Sequence, residues 1–144
     1  MEKKIKILLI EDNPGDAYLI EEQLEEFANF LYEFINVGTL NEALNVLKEQ
    51  TFDVILLDLA LPDSYGFNTF LSIHNINPMI PIIILTGLKD ETIGTYAIKE
   101  GAHDYLVKGQ TESRLLECII QCSIKCKNRL YSDCLLYTSD AADE

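Results

Sequence analysis

No stretch of this 144-residue chain approaches the roughly 20 consecutive apolar residues that a membrane span requires. The start, MEKKIKILLI, is too short and too soon acidic for a secretory signal. The expected compartment is therefore the cytoplasm, without a membrane anchor. Basic charge is also scarce: 11 Lys and Arg stand against 24 Asp and Glu, a net charge of -13. That balance argues against a phosphate-backbone ligand, so no nucleic-acid partner is expected for this segment. Four cysteines leave little scope for a disulfide framework, and a chain of this length needs none to bury a full core.

What is present is a regular alternation of short apolar runs and helical patterns. Ile5 to Ile10 reads as a first strand, followed by a turn at Asn13, Pro14 and Gly15. Ala17, Ile20, Leu24, Phe27 and Leu31 then recur at helical spacing. A second strand around Glu33 to Val37 leads to Thr39, whose spacing to Glu42 fits a capping box for a helix carrying Leu40, Ala43, Leu44 and Leu47. Val54 to Leu57 forms a third strand, LPDSYG a loop, and Phe67, Phe70 and Leu71 mark a third helix. Pro81 to Leu85 gives a fourth strand, and Ile93, Tyr96 and Ala97 a fourth helix ended by Gly101. Tyr105 to Val107 is a short fifth strand before a last helix from about Thr111 to Tyr131. Five such units with short connections imply a parallel sheet between two helical layers, in the flavodoxin-like order 2-1-3-4-5.

Two of these apolar runs end in acids. KIKILLI runs into Glu11 and Asp12, and FDVILL runs into Asp58. Continuous Ile and Leu runs mark strands covered on both faces, and such sheets open to ligands at the carboxyl ends of the strands. If the first and third strands are neighbours, three carboxylates converge, and a hard cation such as Mg²⁺ relieves their repulsion. Thr86 ends the fourth strand in IIILTG, and Lys108 ends the fifth in DYLVKG. Each acid alone could be a helix cap or a loop residue, Thr86 a cap, and Tyr105 a core aromatic. Their joint placement at strand ends is what carries the reading.

Together, ED after strand one, D after strand three, T after strand four and K after strand five resemble the receiver domain of two-component response regulators. The resemblance runs from Lys4 to about Arg129, and LLDLALPDSYG and DYLVKGQ are its nearest wording. It implies that Asp58 accepts a phosphoryl group from a histidine kinase or a histidine phosphotransfer protein. It also implies Mg²⁺ on Asp12, Asp58 and the Ala60 backbone carbonyl, with Glu11 acting through water. Lys108 and Thr86 would contact the phosphoryl oxygens, and Tyr105 matches the switch aromatic that turns inward. The altered surface would then be the fourth helix, fifth strand and fifth helix. Receivers usually place a proline with a cis peptide bond after the lysine, whereas this chain has Gly109. A non-proline cis bond costs about 2.5 to 4 kcal/mol, so that peptide is either strained or trans. Ala60 and Leu88 offer no polar group to an attacking water, which implies slow self-dephosphorylation.

Other classes fit less well. A haloacid-dehalogenase-like phosphotransfer enzyme needs a second Asp where Ala60 stands, so no turnover enzyme is expected. A flavodoxin needs a phosphate-binding loop where EDNPGD is acidic, and a degenerate receiver would lack some of the five positions filled here. Cys118, Cys122 and Cys126 repeat every four residues and read as a packed stripe, while His74 and His103 read as ordinary surface histidines. The acidic run from Glu21 to Glu26 reads as a solvated helix face.

Residues Cys134 to Glu144, CLLYTSDAADE, resemble a translated transposon-end sequencing adapter. The domain is therefore read as residues 1–131, with 132–144 a non-native or disordered tail. On that reading the chain is the N-terminal part of a longer regulator or hybrid sensor, with a stand-alone regulator as the alternative and a homodimer as one assembly. Leu115, Ile119, Cys122, Cys126 and Leu130 stand near heptad spacing, as in a helix continuing into a linker. Receivers with this LPDS and DYLVKGQ wording are often followed by sensor, kinase or cyclase-like domains.

Overall fold

The computed structural model describes residues 4–87, 91–109 and 113–128. Leu88, Thr111, Leu130, Tyr131 and the tail from Ser132 to Glu144 lie outside the described residues, as do the side chains of Phe27 and Cys126.

In chain order the elements are β1 (Ile5–Ile10), α1 (Pro14–Phe27), β2 (Tyr32–Val37), α2 (Leu40–Glu49), β3 (Val54–Asp58), β4 (Ala60–Leu61) and β5 (Ser64–Tyr65). They continue with α3 (Phe67–His74), β6 (Ile82–Thr86), α4 (Glu91–Lys99), β7 (Asp104–Val107) and α5 (Ser113–Asn128). The five long strands form one parallel sheet in the order β2-β1-β3-β6-β7. Counting only those strands, this is the expected 2-1-3-4-5 flavodoxin-like three-layer sandwich. The additional pair β4 and β5 is an antiparallel hairpin inside LPDSYG, where the sequence suggested only a loop.

Successive side chains of the buried strands alternate between the two helical layers, as the two-residue period of a strand requires. Leu8, Ile10, Ile55, Leu57, Ile82 and Ile84 pack with Ala43 of α2, Phe70 and Ile73 of α3, and Ala97 of α4. Ile7, Leu9, Val54, Leu56, Ile83 and Leu85 pack with Ala17 and Leu24 of α1 and with Leu116 and Ile120 of α5. Strands covered on both faces must be apolar throughout, which is why they read as unbroken Ile and Leu runs.

Several local expectations change. Helix α1 stops at Phe27, so Leu31 falls outside its stripe and is exposed. On α5 the buried residues are Leu116, Ile120 and Ser123, whereas Cys118 and Cys122 are exposed. A four-residue repeat advances about 40° per step on a helix, so this one turns away from the core. His74 and His103 are half-buried rather than surface residues; His74 stacks on Phe70 with centroids 5.0 Å apart. None of the described helices is long and apolar enough to cross a membrane.

Candidate functional site

The register of the sheet decides which strand ends meet. Ile10 of β1 lies opposite Leu57 of β3, so Glu11 and Asp12 leave their strand beside Asp58. Asp58 lies opposite Leu85, and Thr86 opposite Val107, which brings Thr86 and Lys108 to the same edge. The Lys108 amide continues the ladder by donating to the Thr86 carbonyl at 2.7 Å. Asn36 braces the β1 exit by donating from Nδ2 to the Glu11 carbonyl at 3.2 Å. Asn13 caps α1 by accepting from the Asp16 amide at 3.0 Å.

One carboxylate oxygen from each of Glu11, Asp12 and Asp58 lies within 4.8 Å of the others. Glu11 and Asp58 are buried and Asp12 is exposed, so the cluster opens to solvent on one side. Lys108 Nζ enters it from the fifth long strand, forming an ion pair with Glu11 Oε1 and lying 3.1 Å from Asp58 Oδ2 and 3.2 Å from Asp16 Oδ2. The other oxygens take backbone donors: Asn13 N–H donates to Glu11 Oε2 at 3.1 Å, and Ala60 N–H to Asp58 Oδ1 at 3.1 Å.

Burial pushes the Glu11 carboxyl up to about 7, with Asp58 adding to the rise and Lys108 and the Asn13 amide opposing it. Burial alone would lower the Lys108 ammonium, but its contacts with Glu11 and Asp58 outweigh that and raise it above the ordinary lysine value. Among the described residues one ammonium thus contacts three carboxylates, those of Glu11, Asp16 and Asp58, with Asp12 a further acid of the cluster, and Lys108 Nζ is the ion-pair partner of the buried Glu11 Oε1. An all-oxygen donor set in which carboxylates outnumber the ammonium among the described residues fits a hard divalent cation such as Mg²⁺.

Thr86 is buried, and its Oγ1 donates to the Leu106 carbonyl over a long 3.4 Å, a weak bond that leaves the hydroxyl easily redirected. Tyr105 is half-buried beside the core. Its ring lies so close to Gly94 of α4 that a Cβ there would stand 2.8 Å from Tyr105 Cδ2, so this packing requires glycine at position 94. The Lys108–Gly109 peptide is trans and Gly109 has φ +79°, so the missing proline is accommodated by a left-handed glycine that still delivers Lys108 to the carboxylates.

Sequence reasoning missed Asp16 and Asp63. The first could have been found from Asn13: a cap there puts Asp16 in the first turn of α1, facing the strand ends. Asp63 accepts from the amides of Leu40 and Asn41 at the start of α2, a contact without a local sequence signal.

A doubly wound parallel sheet with a buried aspartate at its central strand end, flanked by an acidic pair and a lysine, defines an α/β domain with an aspartate-centred site. The family model of the response regulator receiver domain matches residues 7–120, and the chain belongs to that family. It is 30% identical over 116 residues to the transcriptional regulatory protein ZraR of Salmonella typhimurium, covering 81% of this chain and 26% of ZraR. It is 29% identical to PilH of Pseudomonas aeruginosa, covering 79% of this chain and 93% of PilH. The receiver domain of the sensor histidine kinase PA1611 from Pseudomonas aeruginosa, solved with magnesium in its active-site cleft, superposes with a TM-score of 0.71 at 28% identity. That match covers 85% of this chain and 99% of the PA1611 receiver. The chain spans about a quarter of the length of the ZraR relatives it matches. Membership places it in two-component phosphorelay signalling as a phosphoacceptor domain rather than a turnover enzyme.

Proposed function

We propose that Asp58 accepts a phosphoryl group from a histidine kinase or histidine phosphotransfer protein. The observation that carries this reading is the convergence of Glu11, Asp12 and Asp58 with Lys108 Nζ 3.1 Å from Asp58 Oδ2. A carboxylate oxygen of Asp58 attacks phosphorus, the bond from phosphorus to the donor imidazole breaks, and the imidazole nitrogen keeps the electron pair. Asp12, Asp58 and the Ala60 carbonyl would hold Mg²⁺, with Glu11 reaching it through water. Bound there, the ion would neutralise charge on the transferring oxygens. Lys108 supplies a fixed positive charge beside them, and its three carboxylate partners hold its side chain in place before the donor arrives. Thr86 turns its hydroxyl from Leu106 to a phosphoryl oxygen, and Tyr105 follows it inward along Gly94. The new charge thereby reshapes the surface of α4, β7 and α5. Ala60 presents no polar side chain to an attacking water, so the aspartyl phosphate decays slowly.

The chain is read as the receiver portion of a longer regulator, a reading supported by the much longer ZraR relatives. The near-complete coverage of PilH favours the second reading, a stand-alone regulator acting by docking, and sequencing past the Asp133 codon decides between them. For the site itself, the test is incubation with acetyl phosphate and Mg²⁺. Wild-type protein gains one phosphoryl group by intact mass, and Asp58→Asn gains none. Equal labelling of the two proteins, or no labelling and no response to beryllofluoride, overturns the assignment.

A further inference from the structure

The loop that follows Asp58 is clamped from outside. Its hairpin pairs Ala60 with Tyr65 and Leu61 with Ser64, and Gly66 N–H closes it by donating to the Leu59 carbonyl at 2.7 Å. Ser64 and Thr69 share a hydroxyl hydrogen bond of 2.6 Å, which ties one side of the hairpin to α3. Asp63, exposed at the hairpin tip, ties the other side to α2: Leu40 N–H donates to Oδ1 at 2.8 Å and Asn41 N–H to Oδ2 at 2.9 Å.

Helix α2 does not depend on this contact for its own start. Thr39 is its N-cap and accepts from the Glu42 amide at 3.0 Å, while Glu42 accepts from Thr39 Oγ1 and from Gly38 N–H. Exposed amides at a helix start are satisfied by water when no side chain serves them, so two bonds from a remote carboxylate add little to the helix itself. They do fix the loop, whose free tip would otherwise set the direction of Ala60. The same end of α2 also adjoins the other acidic loop: a Cβ on Gly38 would lie 3.6 Å from Asp12 Cα. The start of α2 therefore borders both chain segments that carry the proposed cation ligands. The carboxylate suits this place because a negative charge at a helix N-terminus is favoured, and the two amides hold the Asp63 carboxyl below its ordinary range.

Resting on the phosphoacceptor reading above, we infer that Asp63 is a positioning residue for the cation site: it pins the β4–β5 hairpin to α2 and so holds Ala60 and Asp58 in register with Asp12. The test is Mg²⁺ titration by calorimetry alongside thermal unfolding, on the full chain and on Asp63→Ala, Asp63→Asn and Thr39→Ala. Asp63→Ala weakens Mg²⁺ binding about tenfold, the scale seen when groups that orient metal ligands are removed. Asp63→Asn, which keeps an acceptor oxygen, recovers part of that loss. Thr39→Ala lowers the unfolding midpoint by removing the true cap but leaves Mg²⁺ affinity unchanged. Unchanged affinity in Asp63→Ala, or an equal loss in Thr39→Ala, overturns the inference while leaving the site assignment standing. Wild-type protein that takes up no Mg²⁺ overturns both.

Discussion

The two ends of the same parallel sheet both carry charged groups and treat them differently. At the amino ends, charges are matched in detail: Lys6 N–H donates to Asp53 Oδ2 at 2.8 Å, and Lys6 Nζ donates to Gln50 Oε1 at 2.6 Å and lies over the Phe52 ring. At the carboxyl ends, Glu11 and Asp58 are buried together, and among the described residues one lysine serves three acids, while burial and the Asp58 charge push the Glu11 carboxyl up. A charged residue at a strand end is therefore not by itself a sign of function. A buried excess of acids over their cations is such a sign, because like charges buried together are costly unless a cation or a proton offsets them.

The largest test of this contrast is Lys108→Ala. Removing the cation that lies 3.1 Å from Asp58 Oδ2 lowers phosphoryl transfer from acetyl phosphate about a hundredfold or more, the usual scale for losing one preorganised electrostatic partner. The matching change at the other end, Asp53→Ala, leaves the transfer rate unchanged. Rates that respond alike to the two substitutions would erase the functional difference between the ends.

Stability should show the opposite ordering. Asp53→Ala removes a charged acceptor from the Lys6 amide and costs about 1.5 to 3 kcal/mol in urea unfolding. Asp58→Asn abolishes phosphorylation yet raises stability by about 1 kcal/mol, because it relieves repulsion with buried Glu11. Loss of stability in Asp58→Asn would show that the carboxyl-end cluster is as well compensated as the amino-end one.

The same contrast explains what could be read from the sequence. The strands and the three acids were legible because a sheet covered on both faces needs unbroken apolar runs, and their last residues must meet solvent. Lys108 and Thr86 followed from their joint placement with the acids at strand ends and from the resemblance that this pattern carries. Asp16 was legible only in part: a cap at Asn13 places it in the first turn of α1, but its partner Lys108 lies 92 residues away. Asp63 was not legible: its partners lie 22 and 23 residues away, and two-residue strands such as β4 and β5 carry no periodicity. The exposed Cys118 and Cys122 were misread for a physical reason. A repeat of four follows one helix face only briefly, and Leu116, Ile120 and Ser123 hold the core side instead.

The smallest expected effect concerns His103, which lies at the amino end of β7 and tests whether the two ends are independent. Its backbone N–H donates to the Ile82 carbonyl at 2.8 Å. Burial lowers its imidazole from the ordinary 6.5, with Asp104 opposing the shift. A histidine depressed in the folded state is kept neutral there, while the unfolded chain binds the proton more readily. Its contribution to stability is thus complete above 6.5 and is lost as pH falls below that value toward the depressed one. His103→Gln should flatten the unfolding midpoint across this window and leave Mg²⁺ affinity at each pH as in the wild type. A change in Mg²⁺ affinity on that substitution would mean that proton binding at the satisfied end reaches the acidic end through the sheet. Unchanged affinity leaves the two ends energetically separate, as expected for sites with no shared side chain.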